Sequence, residues 1–390
     1  MRGTKGYAMS ILDLFGEQTK KEPVVSHVQV DEFTKHASAA FDYEFDGTIS
    51  FEPWAVPQDL PETFTIGAVV GPSGTGKSLF LNNFGKPVQH TWDRDRAIVS
   101  HFKTPEEALQ RLSAVGLNSI PSWMKPYHVL SVGESFRADL ARSMGDGAVF
   151  DEFTSVVDRE TAKSCSRSLK RIATNKGWTN IIVATCHEDI LPWLQPDWVF
   201  NTVDGSLTVG RWLHRPTIKL DVHRCRHDVW PLFASAHYLT AEISKSSHCY
   251  VGLWENAPVV FGSVLCFPHA VVKGGWREHR TVVLPQYQGM GIGPRFSEML
   301  GEIYLERGGR FFSRTAHPRL GQYREASPKW KATAHSYQLR TDQKDRPEEE
   351  FFHNWKHDTN RVCWAHEYLG SIESSEGQEH LDPHAVQKPT

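Results

Sequence analysis

Cysteine is scarce in this chain. Six residues in 390, Cys165, Cys186, Cys225, Cys249, Cys266 and Cys363, lie scattered without a C-x-x-C pair. That pattern excludes a disulfide-framed scaffold and suits reduced thiols in a cytoplasm, the location expected here. Long apolar runs are lacking as well. None reaches the ~18 residues that a membrane-spanning helix needs. The N-terminus lacks the basic, apolar, small-residue order of a signal peptide. There is no internal repeat. Net charge is small at −3, but it hides an asymmetry. Residues 212–345 hold 18 Lys+Arg against 11 Asp+Glu, whereas the remainder holds 25 against 35. A basic carboxyl-proximal half suggests a polyanionic partner; simple variation between domains would give the same balance.

At this length two or three domains are expected. Residues 1–27 read as a flexible end. Val28 to Glu52 alternates apolar and polar residues around Asp46-Gly47, which predicts a hairpin feeding a strand at Thr63–Val70. Helices are expected over 104–116, 131–143 and 158–175, with short buried strands at 148–150 and 180–185. A closing hairpin spans Trp198 to Gly210. Residues 212–216 read as a linker, a new α/β pattern starts at Ile218, and the polar tail from Gly370 reads as disordered.

Gly71-Pro72-Ser73-Gly74-Thr75-Gly76-Lys77-Ser78 fits G-x-x-x-x-G-K-[ST] at every fixed position, between an apolar run and a helical pattern. Gly71, Ser73, Gly74 and Gly76 can wrap backbone N–H groups around a polyphosphate at a helix N-terminus. Lys77 can reach the β- and γ-phosphates, and the Ser78 hydroxyl can hold Mg²⁺. ATP and Mg²⁺ are the expected ligands.

Four further segments follow in order. They are Leu130-Ser131-Val132-Gly133-Glu134, Ala148-Val149-Phe150-Asp151-Glu152, Ser155-Val156-Val157-Asp158 and Ile182-Val183-Ala184-Thr185-Cys186-His187. Together they resemble the signature, Walker B strand, D-loop and switch histidine of the ABC ATPases, over about 28–211. The resemblance implies that Asp151 holds Mg²⁺, Glu152 polarises the attacking water and His187 senses the γ-phosphate. It also implies that Ser131 and Gly133 of one copy cover the ATP of another, so ATP drives a homodimer. Val132 and Glu134 depart from the family's L-S-G-G-Q. His101, after an expected strand Ala97–Ser100, stands where the family carries a glutamine. Only 28 residues separate His101 from Leu130, short for a transporter ATPase. Phe51 and Trp54 are candidates to stack on adenine, or else plain core.

A second glycine loop, Gln288-Gly289-Met290-Gly291-Ile292-Gly293, lies between a strand ending at Leu284 and a helix from about Pro294 to Arg307. It resembles the [QR]-x-x-G-x-[GA] loop of the GNAT acetyltransferases, over about 217–369. The resemblance implies that Gln288, Gly289, Gly291 and Gly293 hold the pyrophosphate of acetyl-CoA or another acyl-CoA. Candidates for base are Glu278 and His279, and for acid His317 and Tyr323. His223-x-Cys225-x-His227 puts three ligand types at period two, with no fourth in view. Trp276, Trp330 and Tyr323, interleaved with arginines, suit nucleic-acid contact. The stretch from His317 to Trp330 also resembles phage DNA-modification enzymes of the Mom type.

The fold class expected is therefore α/β, a P-loop NTPase (ABC ATPase-like) domain followed by an α+β GNAT-like acyltransferase domain. The pairing resembles the group described as ABC-type ATPase fused to a predicted acetyltransferase. The implied function is ATP-gated acylation or a related modification of a nucleic-acid base. The alternatives are a GNAT acting on a protein or small amine, a non-catalytic ATP-gated binding module, and a transporter ATPase subunit.

Overall fold

The computed structural model describes residues 20–210, 216–237, 242–266, 272–339 and 362–370, and the strand 386–387. Most of the expected linker, of the flexible end and of the polar tail lies outside the described residues; within the tail, Val386–Gln387 is a strand paired parallel with Leu220–Asp221 where disorder is expected. The chain divides into two compact units, Met1–Thr91 with Arg142–Arg215 and Trp92–Ala141 with Pro216–Thr390. Among the described residues no helix is long and apolar enough to cross a membrane.

The first unit is built on a five-stranded sheet. Its order is Val149–Phe150, Ile181–Thr185, Ile66–Val70, Trp198–Asn201 and Leu207–Val209. The first four run parallel and the last is antiparallel. Ile66–Val70 and Ile181–Thr185 are buried at every position, as strands covered on both faces must be. Phe80 and Phe200 stack at 4.1 Å beneath the sheet, and Trp198 meets Phe64 edge-on at 5.2 Å. The helix Arg159–Lys176 starts where the Asp158 carboxylate accepts from the Thr161 N–H, and it stops at Gly177, whose φ is 66°. In register, Val70 is level with Thr185 and Asn201, and Phe150 with Val183. The carboxyl ends of four strands thus share one edge, where parallel sheets bind ligands.

Two further sequence expectations are corrected. Among the described residues no hairpin closes around Asp46-Gly47; Thr48–Phe51 pairs antiparallel with Val24–His27, residues expected in the flexible end. Asp31 and Thr34 form a capping box that starts a helix at Glu32–Ala40. The local cap satisfies the first N–H groups and overrides the alternating pattern. The second correction concerns Ala97–Ser100. Ile98–His101 is a 3₁₀ turn, and in place of a ladder there is an isolated bridge from Ala97 to Pro126. With no longer ladder along it, this apolar run buries Ile98 by turning.

The sheet of the second unit has nine strands and is mainly antiparallel. Its core runs Val362–Tyr368, Arg310–Thr315, Gly275–Val283, Ala257–Cys266, His248–Trp254 and Leu220–Cys225. His248–Trp254 and Ala257–Cys266 form a hairpin closed by Glu255 and Asn256, both at positive φ. One junction inside the sheet differs. Gly275–Val283 and Arg310–Thr315 run parallel, paired only from Gly275–Arg277 to Arg310–Phe312. Beyond those residues the two strands no longer pair. The loop after Val283 leads into the 15-residue helix Ile292–Glu306, which packs its Phe296 and Leu300 on the sheet at Gly262. In the same unit Thr104 caps the helix Pro105–Ala114.

Candidate functional site

The loop Gly71–Ser78 leaves the buried strand Ile66–Val70 at its carboxyl end. Gly71, Gly74 and Gly76 have φ of 148°, 82° and 88°, a region that favours glycine. A Cβ at Gly71 would lie 2.2 Å from the Thr202 hydroxyl, and one at Gly76 would lie 2.6 Å from the Phe51 ring. At Gly74 nothing lies within 4 Å, so the loop is open there. Lys77 is buried, and its Nζ donates to Gly71 O at 2.9 Å and Pro72 O at 2.7 Å. Ser73 and Ser78 are exposed. Thr202 was not visible as a functional residue in sequence. Its Oγ1 donates to Val70 O at 3.0 Å and lies 2.6 Å from Thr75 Oγ1, pinning the base of the loop. Trp54 packs edge-on against Phe200 and donates from Nε1 to Thr202 O at 2.9 Å, so it is core. Phe51 stays beside the loop.

Asp151 follows Phe150 at the same sheet edge. One of its carboxylate oxygens accepts the Glu152 N–H at 2.9 Å. Glu152 itself is exposed at φ 50°, and Thr154 is buried at φ 68°. Such left-handed residues cost ~1 kcal/mol or more and gather at working sites. Thr154 Oγ1 lies 3.3 Å from His187 Nδ1, and the His187 N–H donates to Thr185 Oγ1 at 3.0 Å. His187 is therefore anchored to the segment that carries Glu152. Thr154 gave no sequence signal.

In the second unit, Ser131 caps the helix Val132–Ser143. The Glu134 N–H donates to Ser131 Oγ at 3.3 Å, and the Ser131 N–H donates to Glu134 Oε2 at 2.9 Å. The glutamate that departs from the family pattern thus closes a reciprocal capping box. Burial would raise its pKa, but Ser122 and Ser131 outweigh that and hold it below the ordinary carboxylate value. Gly133 sits in the first turn. His101 uses both ring nitrogens locally. Nε2 accepts from the Asp93 N–H at 3.0 Å, Nδ1 lies 3.0 Å from Ala97 O, and the ring packs on Trp92.

The second glycine loop has the same construction. Gly289 and Gly291 have φ of 92° and 82°, Gly291 starts the helix Ile292–Glu306, and nothing lies within 4 Å of a Cβ built there. Gln288 folds inward, its Nε2 donating to Val283 O at 2.9 Å. Gly293 packs against Val283.

The four acid–base candidates do not form one cluster. Glu278 and Ser313 are the first residues past the paired stretch of the two parallel strands, and side chains bridge them there. The Ser313 and Thr281 hydroxyls donate to Glu278, and Arg324 Nη2 donates to it at 2.9 Å. Arg324 also donates to Ser297 Oγ at 2.9 Å and lies 4.5 Å over the Trp330 ring. Burial would raise the Glu278 carboxyl, but Arg324 and the hydroxyls outweigh it and keep it low. His279 is the extra residue of a bulge and lies 3.4 Å from Ser263 Oγ. Burial, with Arg280 and Arg277, pushes its imidazole down to about 4. Burial and Arg319 likewise push His317 to about 4, and neither ring nitrogen has a hydrogen-bond partner among the described residues. Tyr323 donates to Glu298 at 2.5 Å; burial and that carboxylate raise its pKa.

The aromatics expected to face nucleic acid divide. Trp330 is buried, and Trp276 packs on Tyr304 at 4.7 Å and His248 at 4.8 Å. Tyr323 is 38% exposed. His223 and Cys225 end a strand, and His227 lies in the following turn. Among the described residues no group of three His, Cys, Asp or Glu is placed to hold a metal.

Fold and loops place in one chain a glycine loop at the end of a mainly parallel sheet and a second glycine loop beside a mainly antiparallel sheet. No family model matches the chain. No curated protein matches it either. Solved structures are similar to parts of it. The cbiO1 protein of Clostridium perfringens, part of the ABC transporter complex cbiONQ, is 21% identical over 37% of this chain and 76% of its own, at TM-score 0.28. A Bacillus subtilis acetyltransferase in complex with CoA is 14% identical over 40% and 100%, at TM-score 0.28. A GNAT acetyltransferase of Elizabethkingia anophelis with acetyl-CoA bound is 12% identical over 38% and 97%, at TM-score 0.27. At these scores the likenesses carry no argument for chemistry, which rests on the residues.

Proposed function

We propose that the protein hydrolyses ATP and uses that cycle to gate an acyl-CoA-dependent N-acyltransferase acting on a nucleic-acid base. The observation that carries this reading is the pair of open glycine loops, each leaving a strand end and opening a helix, with Lys77 held at the first. Both loops fit phosphates: Gly74 and Gly291 have positive φ and open space where a side chain would stand. Ser78 and Asp151 are hard oxygen donors of the kind Mg²⁺ prefers. Acyl-CoA would supply an activated acyl group, and Mg²⁺ would neutralise phosphate charge.

This chain's residues divide the work. Gly71, Ser73, Gly74 and Gly76 donate backbone N–H groups to the polyphosphate, and Lys77 turns from the loop carbonyls to the β- and γ-phosphates. Glu152 accepts a proton from water as the water oxygen bonds to the γ-phosphorus and ADP leaves. His187, steadied by Thr154, contacts the γ-phosphate. Ser131 and Gly133 of a second copy complete that site. Gln288, Gly289, Gly291 and Gly293 orient the acyl donor. His279, neutral at physiological pH, accepts the proton that the acceptor amine loses on attacking the thioester carbon. Tyr323 supplies the proton taken by the departing thiolate, since burial keeps His317 neutral and without an acidic proton to give. The basic balance of residues 212–345 supports a polyanionic acceptor.

A second reading has its own support. Glu278 is committed to Arg324, and Tyr323 to Glu298. If neither is free for proton transfer, the GNAT-like part is a non-catalytic module gated by ATP. The two readings diverge in one assay. Purified full-length protein is incubated with ATP, acetyl-CoA and single-stranded oligonucleotides, and nucleosides are analysed by mass spectrometry. An acylated nucleoside, absent with Lys77→Ala, supports the first reading. ATP turnover and CoA binding without any acyl transfer support the second.

A further inference from the structure

The helix that carries the signature residues also braces the second glycine loop. Ser131 and Gly133 stand at the start of Val132–Ser143, and Arg137 lies one turn further along. Arg137 is only 3% exposed. Its Nη1 donates to Val115 O at 2.5 Å and reaches Gln288 O at 3.5 Å. Its Nη2 donates to Pro285 O at 3.2 Å and Gln286 O at 3.4 Å. One guanidinium thus gathers three carbonyls of the turn that leads into Gly289–Gly291. Two more contacts come from the neighbouring segment. The Asn118 N–H donates to Gln288 Oε1 at 3.2 Å. Gly116 at φ 82° lies so close that a Cβ would stand 2.4 Å from Gln288 O and 2.6 Å from Arg137 Nη1.

The chemistry of this brace is directional. Carbonyls drawn toward a buried cation hold their peptide planes fixed. A loop that binds anions through backbone N–H groups works only when those planes are set. The guanidinium also places a full positive charge behind the loop in a low-dielectric setting. Breaking the brace strands a buried charge and three acceptors, so helix and loop shift together or not at all.

We infer that Arg137 is a positioning residue through which the signature helix sets the acyl-CoA loop, linking nucleotide engagement to acyl-CoA affinity. The inference rests on the two-loop reading above. Linkage is reciprocal: whatever factor ATP applies to CoA binding, CoA applies to ATP binding. A factor of about five or more is expected, the lower end of ordinary allosteric coupling.

The test uses full-length protein carrying Glu152→Gln, so that ATP persists. The Kd of CoA is measured by titration calorimetry with and without ATP, and the Kd of ATP with and without CoA. The expected result is the same factor in both directions. Arg137→Lys, which keeps charge but loses the fork, is expected to bring that factor close to one. Gly116→Ala, whose Cβ would press on both Gln288 O and Arg137 Nη1, is expected to weaken CoA binding while leaving ATP binding alone. CoA affinity that is indifferent to ATP overturns the linkage while leaving the two-loop reading intact. Failure to bind CoA at all overturns both. Because the first comparison needs no change at Arg137, a misfolded Arg137→Lys does not decide the matter.

Discussion

Glu278 shows how one residue's surroundings override its chemistry. A carboxylate on a strand beside a cofactor loop reads as a base. Here it is buried, accepts from two hydroxyls and pairs with a buried guanidinium. Its task is to tie the strands Gly275–Val283 and Arg310–Thr315 together past the point where their backbones part. Removing one partner of such a pair costs ~3–5 kcal/mol, because the other charge is left buried and alone. Arg324→Met alone is therefore expected to be severely destabilised in urea unfolding. Glu278→Gln with Arg324→Met is expected to recover much of the loss, a coupling that a double-mutant cycle reads directly. Additive losses would remove the ion pair from this account. His279 and His317 make a second residue-scale prediction. Both fall from the ordinary 6.5 to about 4 in the folded chain. Between those values the unfolded chain takes up protons that the folded chain refuses, so stability falls as pH drops. Above about 6.5 the two states hold the same protons at these sites and the effect is absent. Urea midpoints measured from pH 7.5 to 4.5 should decline, and less steeply in His317→Gln.

At the scale of elements, what was legible depended on whether the signal was local. The run Ile66–Val70, the glycines after it and the caps of Pro105–Ala114 and Arg159–Lys176 all carry their reasons in adjacent residues. The strand expected at Ala97–Ser100 failed because a strand needs a partner, and sequence does not show one. The hairpin expected around Asp46-Gly47 is absent among the described residues: Thr48–Phe51 finds its partner in Val24–His27, in the end read as flexible, and the Asp31 cap supplies a helix between them. Site residues followed the same rule. Gly71, Lys77 and Asp151 lie in contiguous motifs, whereas Thr202 sits 127 residues from the Thr75 it touches. Arg137 was visible as part of a helix, but its grip on the turn at Pro285–Gln288 depends on a contact across 148 residues. Thr202 gives the element-scale prediction. Thr202→Val keeps the shape but leaves the hydroxyl of Thr75 and the Val70 carbonyl each without that bond. The fold should lose only ~1 kcal/mol, the worth of an ordinary hydrogen bond. ATP affinity should fall further in proportion, since the base of the phosphate loop is freed. Equilibrium binding of a fluorescent ATP analogue checks this, and unchanged affinity would mean the loop holds its form without Thr202.

At the scale of the whole molecule the signature segment is the deciding part. Ser131 and Gly133 stand at the start of a helix whose first turn is already capped by Glu134. The capping box uses Ser131 Oγ as an acceptor and leaves its proton to donate. Remaining N–H groups of that first turn still seek an anion. A γ-phosphate held on the P-loop of another copy would meet that need, and two such sites in a symmetric pair would form together. Each bound ATP then contributes to association, so pairing should be steep in nucleotide and vanish after hydrolysis. Light scattering on Glu152→Gln should show a monomer without nucleotide and a dimer with ATP and Mg²⁺. ADP should not replace ATP. Ser131→Arg, which fills the space meant for phosphate, should keep ATP binding by each copy and abolish the dimer. Persistence of the monomer at saturating ATP would detach the signature from nucleotide, and with it the route by which hydrolysis could be felt at the acyl-CoA loop.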